Sequence, residues 1–493
     1  MNDKKNYFSA LLLQIFTMIS GLILPRLMIS TLGSEVNGLC SSINQFLSFI
    51  TLLEGGLGAV VLAELYIPIA NQDDYGIKRI LCACQNFFEK LSLVFLAYTL
   101  IISIIYPIFW AKSFSFTYTA TLIWILSIST LVQYMFAITN KLLLQAFQKI
   151  YIVNYISTFA TVINLILAVI VIYIYPEVHL IKLVSACIYL IQPFLYRRYI
   201  DKKYLLNKSD KSKERNTALK NRWSGFAQNL AYFINMNTDV AVLTIFMSLS
   251  DVSVYSIYML AVVALRAIII SLSNSYQGAL GKYYAEGNIV ELKSKFEKFE
   301  KQFWIISMVL FFTCLLLINF FVKLYTSGVN DANYSQPLFA CIMVVANLLY
   351  CIREPYRLLV LATGRFKETN FGAIMEAFLN FVISVVLVNR MGLVGVAIGT
   401  FIAILYRFLY FIWYLKKDII FKKYKEYTAL FTTLLILLLI NMRVYYTNII
   451  NIDSFIEFII FGCITLVLEV IITIGIGYIS DKLCNFIIRR GKK

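Results

Sequence analysis

Five arginines lie inside long apolar segments, where a guanidinium group needs a specific reason to stay. One of them, Arg266, interrupts the stretch AVVALRAIIISL at residues 261–272, and the others are Arg26, Arg353, Arg357 and Arg407. On insertion scales, an arginine at the centre of a membrane-spanning helix costs roughly 2.5–3.5 kcal/mol, so it usually faces a protein interior or a wet cavity. Because a guanidinium group binds phosphate oxygens in pairs, this pattern is typical of a site for an anionic, phosphate-bearing ligand.

The depths of the basic residues in their segments predict a cationic cavity. We expect basic side chains along its whole length: Lys141, Arg353 and Arg357 at the inner mouth, Arg266 in the middle and Arg26 towards the outer end. Arg353 and Arg357 are four residues apart and therefore share one helix face, on a helix that Pro355 is expected to kink. The sequence leaves the role of Arg407 open.

Acidic residues in the same segments allow two interpretations. Glu54, Asp239 and Glu376 are candidates for binding a coupling proton or sodium ion, because carboxylates inside membranes often lie on ion paths. Alternatively, acids and arginines form buried ion pairs that hold helices together. The pairs to consider are Arg26 with Asp239, Arg266 with Glu54, and Arg353 with Glu354 or Glu376.

The composition places these residues in a polytopic membrane protein. Of the 493 residues, 60% are hydrophobic and 14% are charged, and the mean hydropathy is +0.77. Apolar runs long enough to cross a bilayer recur from end to end, with short polar joints between them. We predict an all-α fold with about fourteen transmembrane helices, at residues 8–31, 37–66, 91–110, 118–139, 151–175, 178–196, 223–247, 252–278, 303–325, 336–362, 371–389, 393–415, 428–447 and 455–479.

The positive charge is distributed unevenly between alternate joints. If the amino terminus is cytoplasmic, 34 lysines and arginines lie inside and five lie outside, which is the positive-inside pattern. This predicts a plasma-membrane (inner-membrane) protein with both termini in the cytoplasm. The densest basic stretch, residues 197–223, is typical of a segment that rests against anionic lipid headgroups, so the net charge of +17 does not indicate nucleic-acid binding.

Several kinds of chemistry lack the necessary residues. The nine cysteines are scattered without a CxxC pair, and the single histidine, His179, has no potential metal ligands at useful spacing. There is no glycine-rich phosphate loop, paired-carboxylate motif or nucleophile elbow. We therefore expect no metal site, no cofactor and no enzymatic activity.

The sequence contains a weak internal repeat with an offset of 216 residues. Residues 34–42 (SEVNGLCSS) align with 250–258 (SDVSVYSIY), and residues 141–149 (KLLLQAFQK) align with 357–365 (RLLVLATGR). At the same offset, Asn164 aligns with Asn380. The offset spans six predicted helices, an even number, so both copies would cross the membrane in the same direction. This predicts two parallel six-helix lobes around a central substrate cavity, as in repeat-built transporters.

The repeat divides the chain into four parts. The predicted boundaries are an N-terminal lobe at 1–200, a basic cytoplasmic linker at 201–222, a C-terminal lobe at 223–416, and two additional helices with a basic tail at 417–493.

Two stretches resemble a known family of membrane proteins. Residues 24–58 (LPRLMISTLGSEVNGLCSSINQFLSFITLLEGGLG) resemble the first two helices of bacterial polysaccharide-export flippases, and residues 225–246 (GFAQNLAYFINMNTDVAVLTIF) resemble the seventh. These flippases belong to the multidrug/oligosaccharidyl-lipid/polysaccharide (MOP) exporter superfamily, whose layout matches the whole chain. The resemblance implies a V-shaped cavity lined by arginines, here Arg26, Arg266 and Arg357. It also implies that undecaprenyl-diphosphate-linked sugar repeat units are moved to the outer leaflet for capsule or O-antigen synthesis.

The same resemblance implies partners and leaves alternatives. A glycosyltransferase would act upstream and a polysaccharide polymerase downstream, with H⁺ or Na⁺ as a potential coupling ion. A flippase for lipid II or a teichuronic-acid precursor would differ only in the sugar. An ion-coupled multidrug antiporter of the same superfamily commonly has twelve helices and an acidic cavity. A membrane polymerase, the alternative from another class, would need a large external loop, and every predicted outer loop here is short.

Overall fold

The chain is built from helices that begin and end close to its polar joints. The computed structural model describes residues 2–54, 57–203, 226–365, 368–415, 427–447 and 452–490, and these ranges contain no strand. A 3₁₀ segment, Phe49–Glu54, follows α2, and a π-helical segment, Gln133–Ala137, joins α5 to α6. The helices are α1 (Asn2–Leu32), α2 (Ser34–Ser48), α3 (Leu57–Ala70), α4 (Asp74–Phe109), α5 (Phe116–Val132), α6 (Ile138–Ala146), α7 (Ile150–Ile174), α8 (Val178–Lys203), α9 (Phe226–Phe246), α10 (Leu249–Ala285), α11 (Ile289–Tyr325), α12 (Pro337–Ile352), α13 (Glu354–Ala362), α14 (Asn370–Met391), α15 (Leu393–Leu415), α16 (Thr428–Thr447) and α17 (Phe455–Arg490).

The predicted fold class is confirmed. Within the described residues, 13 spans are long and apolar enough to cross a membrane, and α9 contributes a further, shorter apolar helix at Asn237–Phe246. The chain is therefore an all-α, multi-pass membrane protein with about fourteen spans. The predicted break near Pro355 is also present, because α12 ends at Ile352 and α13 begins at Glu354.

Several helices extend beyond the apolar segments that predicted them. Helix α4 begins at Asp74 instead of residue 91, and α11 begins at Ile289 instead of residue 303. Each start is capped by a side chain: Asp73 accepts a hydrogen bond from the Gly76 amide at 2.9 Å, and Asn288 accepts one from the Glu291 amide at 3.1 Å. Hydropathy alone placed these starts too late, because capped polar turns continue a helix beyond the apolar region.

The helix boundaries support the repeat offset of 216 residues. Adding 216 to the bounds of α4 gives 290–325, and α11 runs from Ile289 to Tyr325. Adding 216 to the bounds of α6 gives 354–362, which are the bounds of α13. Helices of nearly the same length and spacing therefore occur twice along the chain.

The chain divides into two compact units. Unit 1 contains Met1–Phe233 together with Ser248–Ser253, and unit 2 contains Ile234–Met247 together with Val254–Lys493. Helices α16 and α17 belong to unit 2, where both pack against α11. The four-part division into lobes, linker and additional helices remains a prediction, and nearly all of the basic linker at 201–222 lies outside the described residues.

In unit 1, the first turn of α10 packs closely against α2. The Asn37 side chain donates a hydrogen bond to the Ser253 hydroxyl at 2.8 Å, and these two positions are 216 residues apart. Next to them, Gly38 lies so close to α10 that an added Cβ would collide with the carbonyl oxygen of Leu249. Only glycine permits this approach of the two backbones.

In unit 2, a second close approach positions polar side chains between α14 and α15. A Cβ added to Gly399 would collide with the Ser384 hydroxyl and would lie 2.9 Å from the Ser384 nitrogen. Small residues allow membrane helices to pack closely and to form hydrogen bonds across the interface. Here the contact places Asn380 of α14 within 3.1 Å of the Thr400 hydroxyl of α15.

The contact at Gly38 generates a prediction about stability. Alanine normally stabilises a helix interior by about 0.5–1 kcal/mol relative to glycine. We expect Gly38→Ala to lower the melting temperature of the purified protein instead, because the new methyl group collides with the backbone of α10. Gly21→Ala in α1 is the matched control, since a Cβ there meets nothing within 4 Å. Equal melting temperatures for the two variants would contradict the close contact.

Candidate functional site

Apart from Arg357, the predicted charged residues of unit 2 lie in three groups of contacts inside the helix packing. The first group surrounds Asp239 on α9, the second surrounds the ring of Tyr350 on α12, and the third surrounds Glu376 on α14. The helices that carry them are buried apolar elements with isolated polar positions, so each polar group has to find its partner on a neighbouring helix.

Asp239 lies in an oxygen-rich, buried environment. Its carboxylate accepts hydrogen bonds from the Thr400 hydroxyl at 2.8 Å, the Tyr255 hydroxyl at 2.9 Å and the Asn380 amide at 3.4 Å. Asp239 is 3% exposed and Asn380 is fully buried. Within the described chain, the amide oxygen of Asn380 has no hydrogen-bond partner. Carboxylate, hydroxyl and amide oxygens are the ligands that hard cations prefer, so this group is a candidate ion site.

Arg266 contacts the residues of α12 while remaining partly exposed. Its Nη1 lies 3.4 Å from the Asn347 side-chain oxygen, and its guanidinium group lies 4.7 Å from the centre of the Tyr350 ring. Arg353 lies 4.2 Å from the same ring. Arg266 is half-buried, whereas Arg353 is buried. One tyrosine therefore holds two arginines through cation–π contacts.

Glu376 binds two buried arginines. Arg353 Nη1 donates to one of its carboxylate oxygens, and Arg407 Nε lies 3.7 Å from the other. Arg407 also donates to the Thr369 carbonyl at 2.8 Å and packs 4.2 Å from the centre of the Phe411 ring. Of the alternatives that the sequence allowed for Arg353, the structure contains the ion pair with Glu376. Arg407, whose role the sequence left open, completes this group.

Arg357 forms an ion pair within its own helix. Its Nε donates to Glu354 at 2.7 Å, and its side chain is 31% exposed while that of Glu354 is fully buried. Such a pair fixes the base of the guanidinium group and leaves its outer part accessible. Arg357 therefore differs from Arg353, which lies in the break between α12 and α13 and does not share a helix with it, contrary to the expectation from the sequence.

In unit 1, the predicted residues form two smaller contacts. Tyr134 in the π-helical segment donates a hydrogen bond to Glu54, which is half-buried. Lys141 donates to the Gln133 side chain at 3.4 Å and lies 5.7 Å from the centre of the Tyr196 ring. The π-helical segment thus places Gln133 and Tyr134 beside the two charged groups.

Arg26 on α1 is half-buried and follows Pro25 in the helix. The pairs considered from the sequence for Arg26 with Asp239 and for Arg266 with Glu54 would join residues of different units. Those two pairings remain predictions.

Sequence reasoning missed most of the neutral partners. Tyr255, Asn347, Tyr350 and Thr400 determine how the charged groups are held, and no charge or motif marked them. The repeat did contain a signal: its offset aligns Asn164 with Asn380, which are both buried, and it also aligns Tyr134 with Tyr350. Aligned polar residues in apolar helices were therefore a usable indication of interior polar sites.

In the described part of the chain, no three His, Cys, Asp or Glu side chains lie close enough together to hold a metal ion. His179, the single histidine, lies 2.9 Å from the Thr121 hydroxyl and 2.9 Å from the Tyr118 carbonyl oxygen. These contacts are those of a structural side chain near a turn.

Comparisons with known proteins identify the fold. No protein-family model matches the chain, and no curated protein does. The lipid II flippase MurJ in its inward closed conformation matches with a TM-score of 0.67 and 14% identity, over 97% of this chain and 98% of that chain. An inward-facing multidrug resistance MATE transporter of the MOP superfamily matches with a TM-score of 0.58 and 16% identity, over 82% and 96%.

A third structure, that of the MATE multidrug transporter DinF-BH, matches with a TM-score of 0.55 and 16% identity, over 85% of this chain and 97% of that chain. Identities at this level show the fold alone. The chain therefore has the fold of these membrane transporters, which are a flippase and multidrug transporters.

The Glu376 group generates a prediction about stability. Removing one partner of a buried ion pair costs about 3–5 kcal/mol, because the remaining charge stays buried without compensation. We expect Glu376→Gln to lower the melting temperature of the detergent-solubilised protein strongly, since two arginines lose their shared carboxylate.

The matched control is Glu291→Gln on α11. Glu291 lies 3.9 Å from Lys295 in an exposed pair, and exposed pairs contribute about 0–1 kcal/mol. The control should melt close to the unmodified protein. A Glu376→Gln variant that melts with the control would mean that the buried ion group does not stabilise unit 2.

Proposed function

We propose that this protein is a flippase of the MOP exporter superfamily that moves lipid-linked oligosaccharides across the plasma membrane. Its substrate is an undecaprenyl-diphosphate-linked repeat unit, transferred from the inner to the outer leaflet for the synthesis of a surface polysaccharide such as capsule or O-antigen. Both termini lie in the cytoplasm in this proposal. A glycosyltransferase supplies the substrate and a polymerase uses the product.

The position and partial exposure of Arg266 are the observation that supports the proposal most directly. It is half-buried in the middle of a 37-residue helix, where it contacts the neutral Asn347 amide and the Tyr350 ring. Arg353 and Arg407, by contrast, are each 5% exposed and are bound to Glu376. A partly exposed guanidinium group at this position could bind a diphosphate that crosses the apolar part of the membrane. Its charge-assisted, bidentate hydrogen bonds would replace those that the phosphate makes with water.

The other basic residues fit the same role at different levels. Arg357 keeps 31% of its side chain exposed although it is paired with Glu354, and Lys141 and Arg26 are half-buried. In this proposal, these three side chains receive and release the headgroup, and Arg353 acts indirectly by packing against Tyr350.

The extent of the structural matches favours a flippase over a multidrug antiporter. The lipid II flippase structure covers 97% of this chain, whereas the multidrug transporter structures cover 82% and 85%. The same match supports one variant of the proposal, in which the sugar carried is that of lipid II or a related cell-wall precursor. Competition between lipid II and undecaprenyl-diphosphate-linked oligosaccharides for binding would separate the two variants.

Asp239 is the proposed site of the coupling ion. Its carboxylate and the hydroxyl groups of Thr400 and Tyr255 form a buried set of oxygen atoms, and the Asn380 amide donates a hydrogen bond to the same carboxylate. Either Na⁺ or H⁺ could neutralise the carboxylate, and its gain or loss would change the hydrogen bonds that join α9, α14 and α15. Glu54 and Glu376 are less suitable, because Tyr134 and two arginines already bind them.

The first test concerns Arg266 and the diphosphate headgroup. We expect purified protein in nanodiscs to bind undecaprenyl diphosphate, measured by native mass spectrometry. Arg266→Ala should weaken this binding about tenfold to a hundredfold, because a hydrogen bond to a charged group contributes about 1.5–3 kcal/mol. Arg266→Lys should lie between the two, since lysine keeps the charge and loses the bidentate geometry.

Arg443→Ala, at an exposed position of α16, is the matched control and should bind as the unmodified protein does. Equal binding by Arg266→Ala would remove Arg266 from the site. Failure of the unmodified protein to bind undecaprenyl diphosphate would reject the proposed substrate class. In cells, loss of function should leave lipid-linked repeat units in the inner leaflet and abolish the surface polymer.

The second test concerns the coupling ion at Asp239. A ligand that binds only the folded protein raises its stability with concentration. If Na⁺ binds at Asp239, NaCl should raise the melting temperature more than choline chloride does, and Asp239→Asn should abolish most of that difference. Equal effects of the two salts on the unmodified protein would exclude sodium at this site and leave the proton.

A further inference from the structure

The buried face of the last helix is polar, although most of the helix is apolar. Among the described side chains of α17, the buried ones are Thr465, Glu469, Thr473 and Ser480. Positions 465, 469 and 473 are four residues apart and therefore lie on one face. The exposed positions around them are isoleucine, leucine and valine, which suits contact with lipid. In this part of α17, the side chains buried against the protein are polar and the exposed side chains are apolar.

Two contacts fix the register between α17 and α11. Phe321 and Phe458 have ring centres 6.3 Å apart, and a Cβ on Gly462 would lie 3.5 Å from Leu317. Going four residues back along α11 corresponds to four residues forward along α17, so the two helices are antiparallel. Continuing this register by ten residues, we infer that Ser307 of α11 lies at about the level of residue 472 of α17, which is next to Thr473 in the sequence.

Three oxygen atoms at these neighbouring levels are buried and unpartnered. Within the described part of the chain, no hydrogen bond reaches Glu469 Oε2, Thr473 Oγ1 or Ser307 Oγ. The three residues are 3%, 1% and 0% exposed. Helix α16 packs against both α11 and α17, so the three helices surround this region. Buried polar atoms in native proteins normally have a partner, so a group of such atoms indicates an unseen ligand, such as a water or an ion.

The charge of Glu469 indicates what kind of ligand this is. No ion pair in the described chain involves Glu469. Helix α11 carries charged residues only at its ends, up to Lys301 and at Lys323, and Lys323 binds Asp453. The single charged residue of α16 is Arg443, which is exposed, and its buried Tyr445 donates to the Pro337 carbonyl. An ionised carboxylate in this setting requires a positive counter-charge.

We propose that α11, α16 and α17 enclose a binding site for a small monovalent cation, Na⁺ or H⁺, formed by the Glu469 carboxylate with the hydroxyl groups of Thr473 and Ser307. Oxygen atoms of these types suit a hard cation. The site shares no residue with the Asp239 group, and its carboxylate lies on α17, outside the repeated helices. It therefore adds a second ion site to the protein, independent of the proposed transport substrate.

The experiment uses the full-length protein with Asp239→Asn, so that the carboxylate of the first proposed ion site does not contribute to the signal. Infrared spectroscopy separates protonated from ionised carboxyl groups by their stretching bands. The bands of Glu469 are identified as the difference from a protein that also carries Glu469→Gln. Spectra are recorded in choline chloride and in NaCl, each over a range from about pH 6 to about pH 9.5.

A cation site predicts that the state of Glu469 changes with its medium. If Na⁺ is the ligand, NaCl shifts or ionises the carboxyl band at constant pH and choline chloride does not. If H⁺ is the ligand, the band titrates reversibly within this pH range and both salts act alike. A carboxyl band that stays the same in both salts at every pH overturns the proposal, because Glu469 then keeps one protonation state and exchanges no cation.

A second variant tests the geometry of the site. Thr473→Val keeps the shape of the side chain and removes its oxygen atom, so the NaCl concentration or pH at the midpoint of the change should shift about tenfold, or about one pH unit. Thr432→Val, at an exposed position of α16, should leave the midpoint unchanged. Equal midpoints for the two variants would remove Thr473 from the site.

Discussion

The need to compensate charge in apolar surroundings organises the interior of unit 2. Desolvation of an isolated ion costs several kcal/mol, so each charged group in these helices requires a counter-charge, hydrogen bonds or water. The acids are distributed accordingly: Asp239 binds hydroxyl and amide donors, Glu354 binds Arg357, and Glu376 binds Arg353 and Arg407. The contacts of Asp239 join α9 to α10, α14 and α15, and those of Glu376 join α14 to α15 and to the break between α12 and α13. The helix packing is therefore specified by polar pairs as well as by close contacts at small residues such as Gly399.

The two copies of the repeat share helix boundaries but differ in the contacts of their polar side chains. Tyr134 and Tyr350 occupy equivalent positions at the offset of 216 residues, yet Tyr134 donates to a carboxylate and Tyr350 contacts two guanidinium groups. Likewise, Lys141 corresponds to Arg357, which has an acidic partner in its own helix. A duplicated scaffold with different side chains gives each unit its own polar sites.

The sequence predicted the helical fold more completely than it predicted the sites. Apolar runs of spanning length and the repeat follow from local composition, so the fold class, the number of spans and the break near Pro355 could be derived. The sequence could not predict which residue each charged side chain contacts, because this depends on which helices lie side by side. The ion pair of Arg353 with Glu376 was one of several alternatives, and the role of Arg407 remained open until α14 and α15 were seen to pack together. The extended starts of α4 and α11 were missed because their first turns are polar.

The position of each charge relative to its partner separates structural from functional groups. A guanidinium group that is buried against a carboxylate, as in Arg353, is already compensated, and binding an additional phosphate would require breaking that pair. Arg266 is different, because its guanidinium group is partly exposed and contacts an amide and an aromatic ring. The acidic residues also differ in how their charge is compensated. Glu376 is compensated by arginines, whereas Asp239 accepts hydrogen bonds from hydroxyl and amide groups and Glu469 shares the buried face of α17 with hydroxyl groups. The same electrostatic requirement supports the proposals of a phosphate ligand at Arg266 and of cations at the two carboxylates.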